Sequence, residues 1–325
     1  MKSKALVISA VFAAVLLSAC GVTVDTTQTN VPEEGGITFI KVTNEDSEQL
    51  IVPNIGYSAS RLTWWAGRYF VLSKDGERCA YIASHNNHRN IFVKNLSARA
   101  GSQQRTFSNT ASGLCFSPDG QKICFAQDNG TGSNLLMTSA TQGSIVQQIT
   151  SGSVRDYSPI YSYDGRQIFF HRGEGSHYGI WSYDIETGVF SNYCYGLTPY
   201  PISREEFLCT RQNSNGNSEI WLVNYVKGTE SLILSQENRS FTTPSLSPDG
   251  RWILFAANTQ KHSNVPENLD VYVVRSDGSQ LTQLTYHQGH DLSPAWAPDG
   301  KSIYFLSQRG TEKGVYNIWK MNFNL

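Results

Sequence analysis

The sequence predicts an all-β fold, a six-bladed β-propeller of four-stranded antiparallel blades whose ring is closed by an N-terminal strand. Three observations carry this. One short phrase, typified by "SGLCFSPDGQKICFAQ" (112–127) and "LSPAWAPDGKSIYFLS" (292–307), recurs along the chain. Its copies are almost evenly spaced. The last copy stops one strand short of a complete unit.

The turns of the phrase read SKDG (73–76), SPDG (117–120), SYDG (162–165), a degenerate SREE (203–206), SPDG (247–250) and APDG (297–300). Their last residues are separated by 44, 45, 41, 44 and 50 positions. A period of this length across a whole chain marks a repeat architecture. Asp-Gly between two β-rich runs is a hairpin signal, because glycine accepts the positive φ of a tight turn. A third apolar-aromatic run follows in every unit, as in "NIFVKNL" (90–96) and "EIWLVNY" (219–225), and a short fourth run closes most units, as in "FSNYC" (190–194). Four strands per repeat is a propeller blade. The sixth unit ends after its third strand at Leu325, so its fourth strand must come from "ITFIKVT" (37–43) or "SEQLIVP" (47–53). Closing the ring this way removes an exposed sheet edge.

The chain has 325 residues, is 39% hydrophobic and 16% charged, and carries a formal net charge of −1. That is enough apolar sequence for a sizeable core. Lys and Arg do not cluster, so the basic face a nucleic acid would need is not written.

The first residues, "MKSKALVISAVFAAVLLSAC", hold two lysines, an apolar run from Ala5 to Leu17 and then small residues. This is a secretory signal, too short to span a bilayer stably. Its end, "LSAC" (17–20), resembles the bacterial lipoprotein signal. The resemblance implies that Cys20 is acylated and becomes the mature N-terminus, with 1–19 removed as the signal peptide. Gly21, rather than Asp, implies passage to the outer membrane in the enterobacterial pattern. The other reading is an ordinary signal cleaved nearby. Residues 20–36 are the lipidated cysteine and a polar, Thr-rich tether reaching about 20–25 Å root-mean-square, and 37–325 are the propeller. Five further cysteines remain, Cys79, Cys115, Cys124, Cys194 and Cys209, so at least one thiol stays free in a monomer. If Asp119-Gly120 form a two-residue turn, Cys115 and Cys124 oppose each other and a strained bridge is open to them.

"SPAWAPDGKSIYF" (293–305), "SPIYSYDGRQIFF" (158–170) and "TPSLSPDGRWILF" (243–255) resemble the repeat of the TolB-like propeller family. That resemblance covers about residues 57–323 and implies the fold. Function it leaves open, since such propellers serve as scaffolds, peptide binders and parts of enzymes. TolB itself carries an α/β domain ahead of its propeller, and only some thirty-five residues stand there in this chain.

Candidate ligand residues emerge from comparing the repeats. Six positions before the turn, only the third and sixth units carry an acid, Asp156 and Asp291. Opposite blades of a six-fold ring would set these two facing each other across one mouth of the channel. The alternative is a loop-bracing role within the repeat. Arg155 could contact an anionic ligand, and Trp64 and Trp65 could stack on a sugar or peptide, or pack at the ring closure. His287, His290 and Asp291 in "YHQGHD" could hold a divalent cation, the one cofactor the sequence suggests, or be solvated loop residues. No G-x-S-x-G elbow, H-E-x-x-H, P-loop or Rossmann fingerprint is present.

Taken together, these residues point to a monomeric, lipid-anchored propeller at the periplasmic face of the envelope, binding a protein or peptide without catalysis. Two alternatives remain: a carbohydrate-active propeller resembling the oligogalacturonate lyases, with a metal at the channel mouth, and a Tol-Pal-type envelope-integrity component.

Overall fold

The structure, a computed structural model, describes residues 37–43, 57–58, 61–62, 67–85, 88–97, 101–107, 110–143, 146–173, 178–237, 239–258, 268–310 and 315–325. Cys20, the tether, "SEQLIVP", Trp64 and Trp65 lie outside them.

The described chain opens with β1 (Phe39–Lys41) and a small hairpin, β2 (Tyr57–Ser58) and β3 (Arg61–Leu62). Blade one follows as β4 (Phe70–Leu72), β5 (Arg78–His85), β6 (His88–Asn95) and β7 (Gln103–Gln104), and blade two as β8 (Ala111–Phe116), β9 (Lys122–Asp128), β10 (Ser133–Ser139) and β11 (Val146–Gln148). Blade three is β12 (Asp156–Tyr161), β13 (Gln167–Arg172), β14 (Gly179–Asp184) and β15 (Phe190–Cys194). Blade four is β16 (Leu197–Pro201), β17 (Glu206–Gln212), β18 (Ser218–Asn224) and β19 (Thr229–Leu234). Blade five is β20 (Phe241–Leu246), β21 (Trp252–Asn258), β22 (Leu269–Arg275) and β23 (Thr282–Gln283). Blade six is β24 (Asp291–Trp296), β25 (Ser302–Ser307) and β26 (Asn317–Asn322), completed by β1. The innermost strands β4, β8, β12, β16, β20 and β24 touch in sequence and β24 returns to β4, which closes six antiparallel blades into a ring.

Of the two candidate closing strands, "ITFIKVT" does the work. Phe39 pairs with Met321 and Lys41 with Trp319, antiparallel, and Val42 N donates to Ile318 O at 2.8 Å. Phe39 is buried edge-on against Phe305, and Thr43 Oγ1 donates to Asn317 Oδ1 at 2.8 Å. The closure is therefore packed as well as hydrogen-bonded.

Apolar layers between blades form the core, because each strand buries alternate residues against the next sheet. Phe169 of blade three meets Phe207 and Tyr225 of blade four, and Trp252 and Leu254 of blade five share a cluster with Trp296, Phe305, Trp319 and Phe39 of blade six.

The turn chemistry explains why the phrase repeats. Gly120 N donates to Ser117 O at 2.8 Å, Gln121 N to Asp119 Oδ1 at 3.0 Å and Lys122 N to Ser117 Oγ at 2.9 Å. The connection is thus a four-residue loop bracketed by the Ser117–Lys122 pair, not the two-residue turn the sequence suggested. The register survives: Cys115 sits opposite Cys124 as expected, and both are free thiols. Donation from the serine hydroxyl holds the turn acids Asp75, Asp119, Asp164 and Asp249 below the ordinary carboxylate range.

Pro and Gly serve the neighbouring blade. Gly165 has φ +76°, and a Cβ there would lie 2.8 Å from Pro118 Cγ of the preceding turn. Pro298 presses on Gly76 in the same way, at 2.9 Å, while Pro248 meets Gly300 at an ordinary contact distance of 3.6 Å. Blade one has Lys in place of this proline, and there Arg78 Nη2 reaches over to donate to Gly120 O at 2.8 Å. Blade four, the degenerate copy, offers nothing, and the space above Gly250 is open.

Candidate functional site: the mouth face of the ring

Every innermost strand starts on one face of the ring and ends in the repeated turn on the other. The first face, the mouth, therefore gathers the strand starts, the loops between second and third strands, and the links between blades.

Five innermost strands slip register midway, and the residue at each slip has positive φ: Gly113 (70°), Ser158 (53°), Thr198 (46°), Thr243 (51°) and Ser293 (47°). Such bulges re-aim a strand, and a non-glycine residue pays in strain, a β-branched one most. Blade one differs. Its segment Gly67–Tyr69 touches the inner strands of all five other blades. The site of a Gly67 Cβ is 2.7 Å from Ser158 Oγ; Leu114 N donates to Arg68 O at 2.9 Å; and Tyr69 N donates to Ser293 Oγ at 3.1 Å. Arg68 Nη1 donates to Pro199 O at 3.5 Å and Nη2 to Pro244 O at 3.0 Å, with the guanidinium 5.1 Å from the centre of the Tyr200 ring. Only a segment on the ring axis can reach every blade, so residues 67–69 occlude the channel.

Asp156 and Asp291 begin β12 and β24, as the repeat comparison implies, but neither presents a free carboxylate across the mouth. Both are fully buried. Asp156 accepts from Arg172 Nε at 2.7 Å and Nη2 at 2.8 Å, and Arg172 lies over the Trp181 ring at 5.0 Å. Asp291 accepts at 2.8 Å on each oxygen from Nη1 of Arg309, itself fully buried 4.3 Å from the Phe39 ring centre. A carboxylate excluded from water needs such a partner, which corrects the expectation of facing ligand groups. Arg155, by contrast, is exposed.

The proposed metal trio does not converge. Gly289 N donates to His287 Nδ1 at 3.0 Å, Leu269 N donates to His290 Nδ1 at 3.1 Å, and Asp291 is taken by Arg309. Among the described residues no group of three or more His, Cys, Asp or Glu stands close enough to hold a metal ion.

Sequence reasoning missed three features. Arg68 lies outside every repeat position compared. His171 is fully buried between Tyr157, stacked at 6.4 Å, and Tyr178, edge-on at 4.9 Å, with neither ring nitrogen partnered; burial pushes its pKa down to about 3. Tyr178 in turn stacks at 5.4 Å on Tyr195, which is 44% exposed. Tyr195, Phe107 (61% exposed) and Tyr286 (54%) stand on the links following blades three, one and five, so alternate links of the mouth face each project an aromatic ring. Aligning the links by blade would have shown this; aligning the strands could not.

A six-bladed ring of Ser-x-Asp-Gly units, closed by an N-terminal strand, defines a class of propellers rather than a reaction. Within that class the chain belongs to the TolB beta propeller domain family, whose model matches residues 70–267. It is 27% identical over 106 residues to the Tol-Pal system protein TolB of Francisella tularensis subsp. mediasiatica, covering 33% of this chain and 23% of that protein. It is 26% identical over 212 residues to a Bacillus subtilis protein named uncharacterized peptidase YuxL, covering 62% of this chain and 31% of that one. The chain thus spans about a quarter to a third of the length of these relatives. Among solved structures, TolB from Acinetobacter baumannii superposes with TM-score 0.59 at 19% identity, over 71% of this chain and 57% of that chain. An oligogalacturonate lyase from Vibrio parahaemolyticus gives TM-score 0.59 at 13% identity, over 90% and 96%. At these identities the likeness is one of fold.

Proposed function

We propose that this chain is a lipid-anchored, periplasm-facing propeller of the cell envelope that holds a protein partner on its mouth face, without catalysis. The observation that carries the reading is the mouth face itself: exposed aromatic rings on alternate links. Aromatic side chains bury large area at small entropic cost and are enriched where proteins dock. Tyr195 is already held by its stack on Tyr178, so little freedom is lost when a partner covers it.

The anchor follows from Cys20. Several acyl chains would hold the ring to a bilayer stably where one would not. Family membership supports an envelope role, and a Tol-Pal-type partner is the finer form of the proposal. In this reading the occluded channel matters: residues 67–69 block passage through the ring, so a partner sits on a face rather than threading the pore.

The test is chemical cross-linking of the full-length protein in intact cells, followed by affinity purification and mass spectrometry, beside Cys20→Ser. The expected result is a reproducible envelope partner that is depleted in Cys20→Ser. Recovery of the propeller alone from both would overturn the reading.

A further inference from the structure

The ring axis carries a cation, Arg68, that no acid among the described residues neutralises. Arg68 is 7% exposed, and its two hydrogen bonds run to carbonyl oxygens, those of Pro199 and Pro244. A guanidinium has five N–H donors, so most of its donor capacity is unspent. The two acids nearest in the repeat pattern are engaged elsewhere, Asp156 by Arg172 and Asp291 by Arg309. Burial pushes the Arg68 pKa down from its ordinary value, the direction expected of a charge with no opposite charge beside it.

Nearby inner strands carry further uncommitted groups. Ser112 Oγ, Ser158 Oγ and Thr243 Oγ1 are buried without a hydrogen-bond partner among the described residues. They come from the innermost strands of blades two, three and five, and Ser158 and Thr243 are two of the positive-φ residues. Ser158 Oγ points at Gly67, next to Arg68 in the chain; Thr243 precedes Pro244, whose carbonyl holds Arg68. Buried polar groups in folded proteins are satisfied as a rule, so hydroxyls left without a described partner on inner strands that the Arg68 segment touches demand an explanation.

We propose that the centre of the channel is an anion site in which Arg68, with the hydroxyls of Ser158 and Thr243, takes a single carboxylate group. One guanidinium supplies one positive charge, which a monoanion matches and a phosphate dianion exceeds. Its planar fork fits the two oxygens of a carboxylate, and the hydroxyls donate to the same oxygens. The site is independent of any partner on the mouth face.

The test is thermal unfolding of the full-length protein with acetate, using acetamide as the neutral isostere and chloride at equal ionic strength. Ligand that binds only the folded state raises Tm by mass action. Acetate should raise the wild-type Tm by about 2–4 °C, acetamide and chloride should not, and Arg68→Met should show no acetate response. Ser158→Ala keeps the guanidinium and covers the case in which Arg68→Met does not fold; losing one hydrogen bond to a charged group should weaken acetate binding about tenfold. A short peptide with a free or an amidated C-terminus separates the two sources: a response to the free terminus that exceeds the acetate response assigns the carboxylate to a chain end, and a smaller one to a small acid. An acetate response equal to that of acetamide or chloride, one that persists in Arg68→Met, or one unchanged in Ser158→Ala would overturn the proposal.

Discussion

At the scale of the residue, the two aspartates show how a sequence pattern finds a position and misreads its task. Asp156 and Asp291 stand out because only two of six units carry an acid there, and both do begin innermost strands. Their arginine partners lie 16 and 18 positions on, outside any motif, and only the antiparallel register brings Arg172 opposite Asp156. Asp291→Ala leaves Arg309 charged in a site with no solvent exposure and should cost about 3–5 kcal/mol in urea denaturation. Adding Arg309→Leu should recover much of that loss, because the buried charge that Asp291 neutralised goes too. Asp156→Ala should cost less, since the Arg172 side chain keeps 13% of its exposure and can rehydrate. His171 gives a second prediction. Its folded pKa of about 3 lies below the ordinary histidine value, so between the two the unfolded chain binds more protons. The neutral imidazole therefore contributes stability that is complete above about pH 6.5 and is lost as pH falls toward 3, by up to about 1.4 kcal/mol per pH unit. His171→Phe should flatten that acid limb by close to one proton; an unchanged slope would mean that the ring is not buried neutral.

At the scale of the element, the turn phrase was fully legible in the sequence, although the reason for its proline was not. Ser, Asp and Gly act within their own loop, and that local chemistry can be read from spacing. The proline packs on the glycine of the next blade, a contact distant in sequence that appears only once the blades stand side by side. The degenerate fourth copy makes an internal control. Gly165→Ala meets both an unfavourable positive φ and Pro118 at 2.8 Å, whereas Gly250→Ala meets the φ alone. Each should lose about 1–2 kcal/mol for the backbone, and Gly165→Ala measurably more in the same denaturation series. Equal losses would mean that the proline–glycine contact contributes nothing between blades. The closing strand was legible only as a choice between two segments. Both "ITFIKVT" and "SEQLIVP" have strand composition, and what singles out the first is the burial of Phe39 beneath Arg309, a tertiary fact.

At the scale of the whole molecule, the six-fold period made the fold readable while the same regularity hid the site. Features shared by all blades are structural, and what distinguishes this protein is where blades differ: the segment Gly67–Tyr69 across the axis, the His171 ladder in blade three and the aromatic links on the mouth face. None belongs to the repeat. Exposed apolar side chains also occur on the opposite, turn face, where Tyr163 is 63% and Val226 64% exposed, so the two faces compete as docking surfaces. Site-specific photo-cross-linking in intact cells decides between them. A photoreactive residue placed singly at Tyr195, Tyr286, Tyr163 or Val226 of the full-length protein reports which face a partner covers. The account predicts that one envelope protein is captured from Tyr195 and Tyr286 and not from Tyr163 or Val226. Capture from the turn-face positions alone, or from no position, would contradict it.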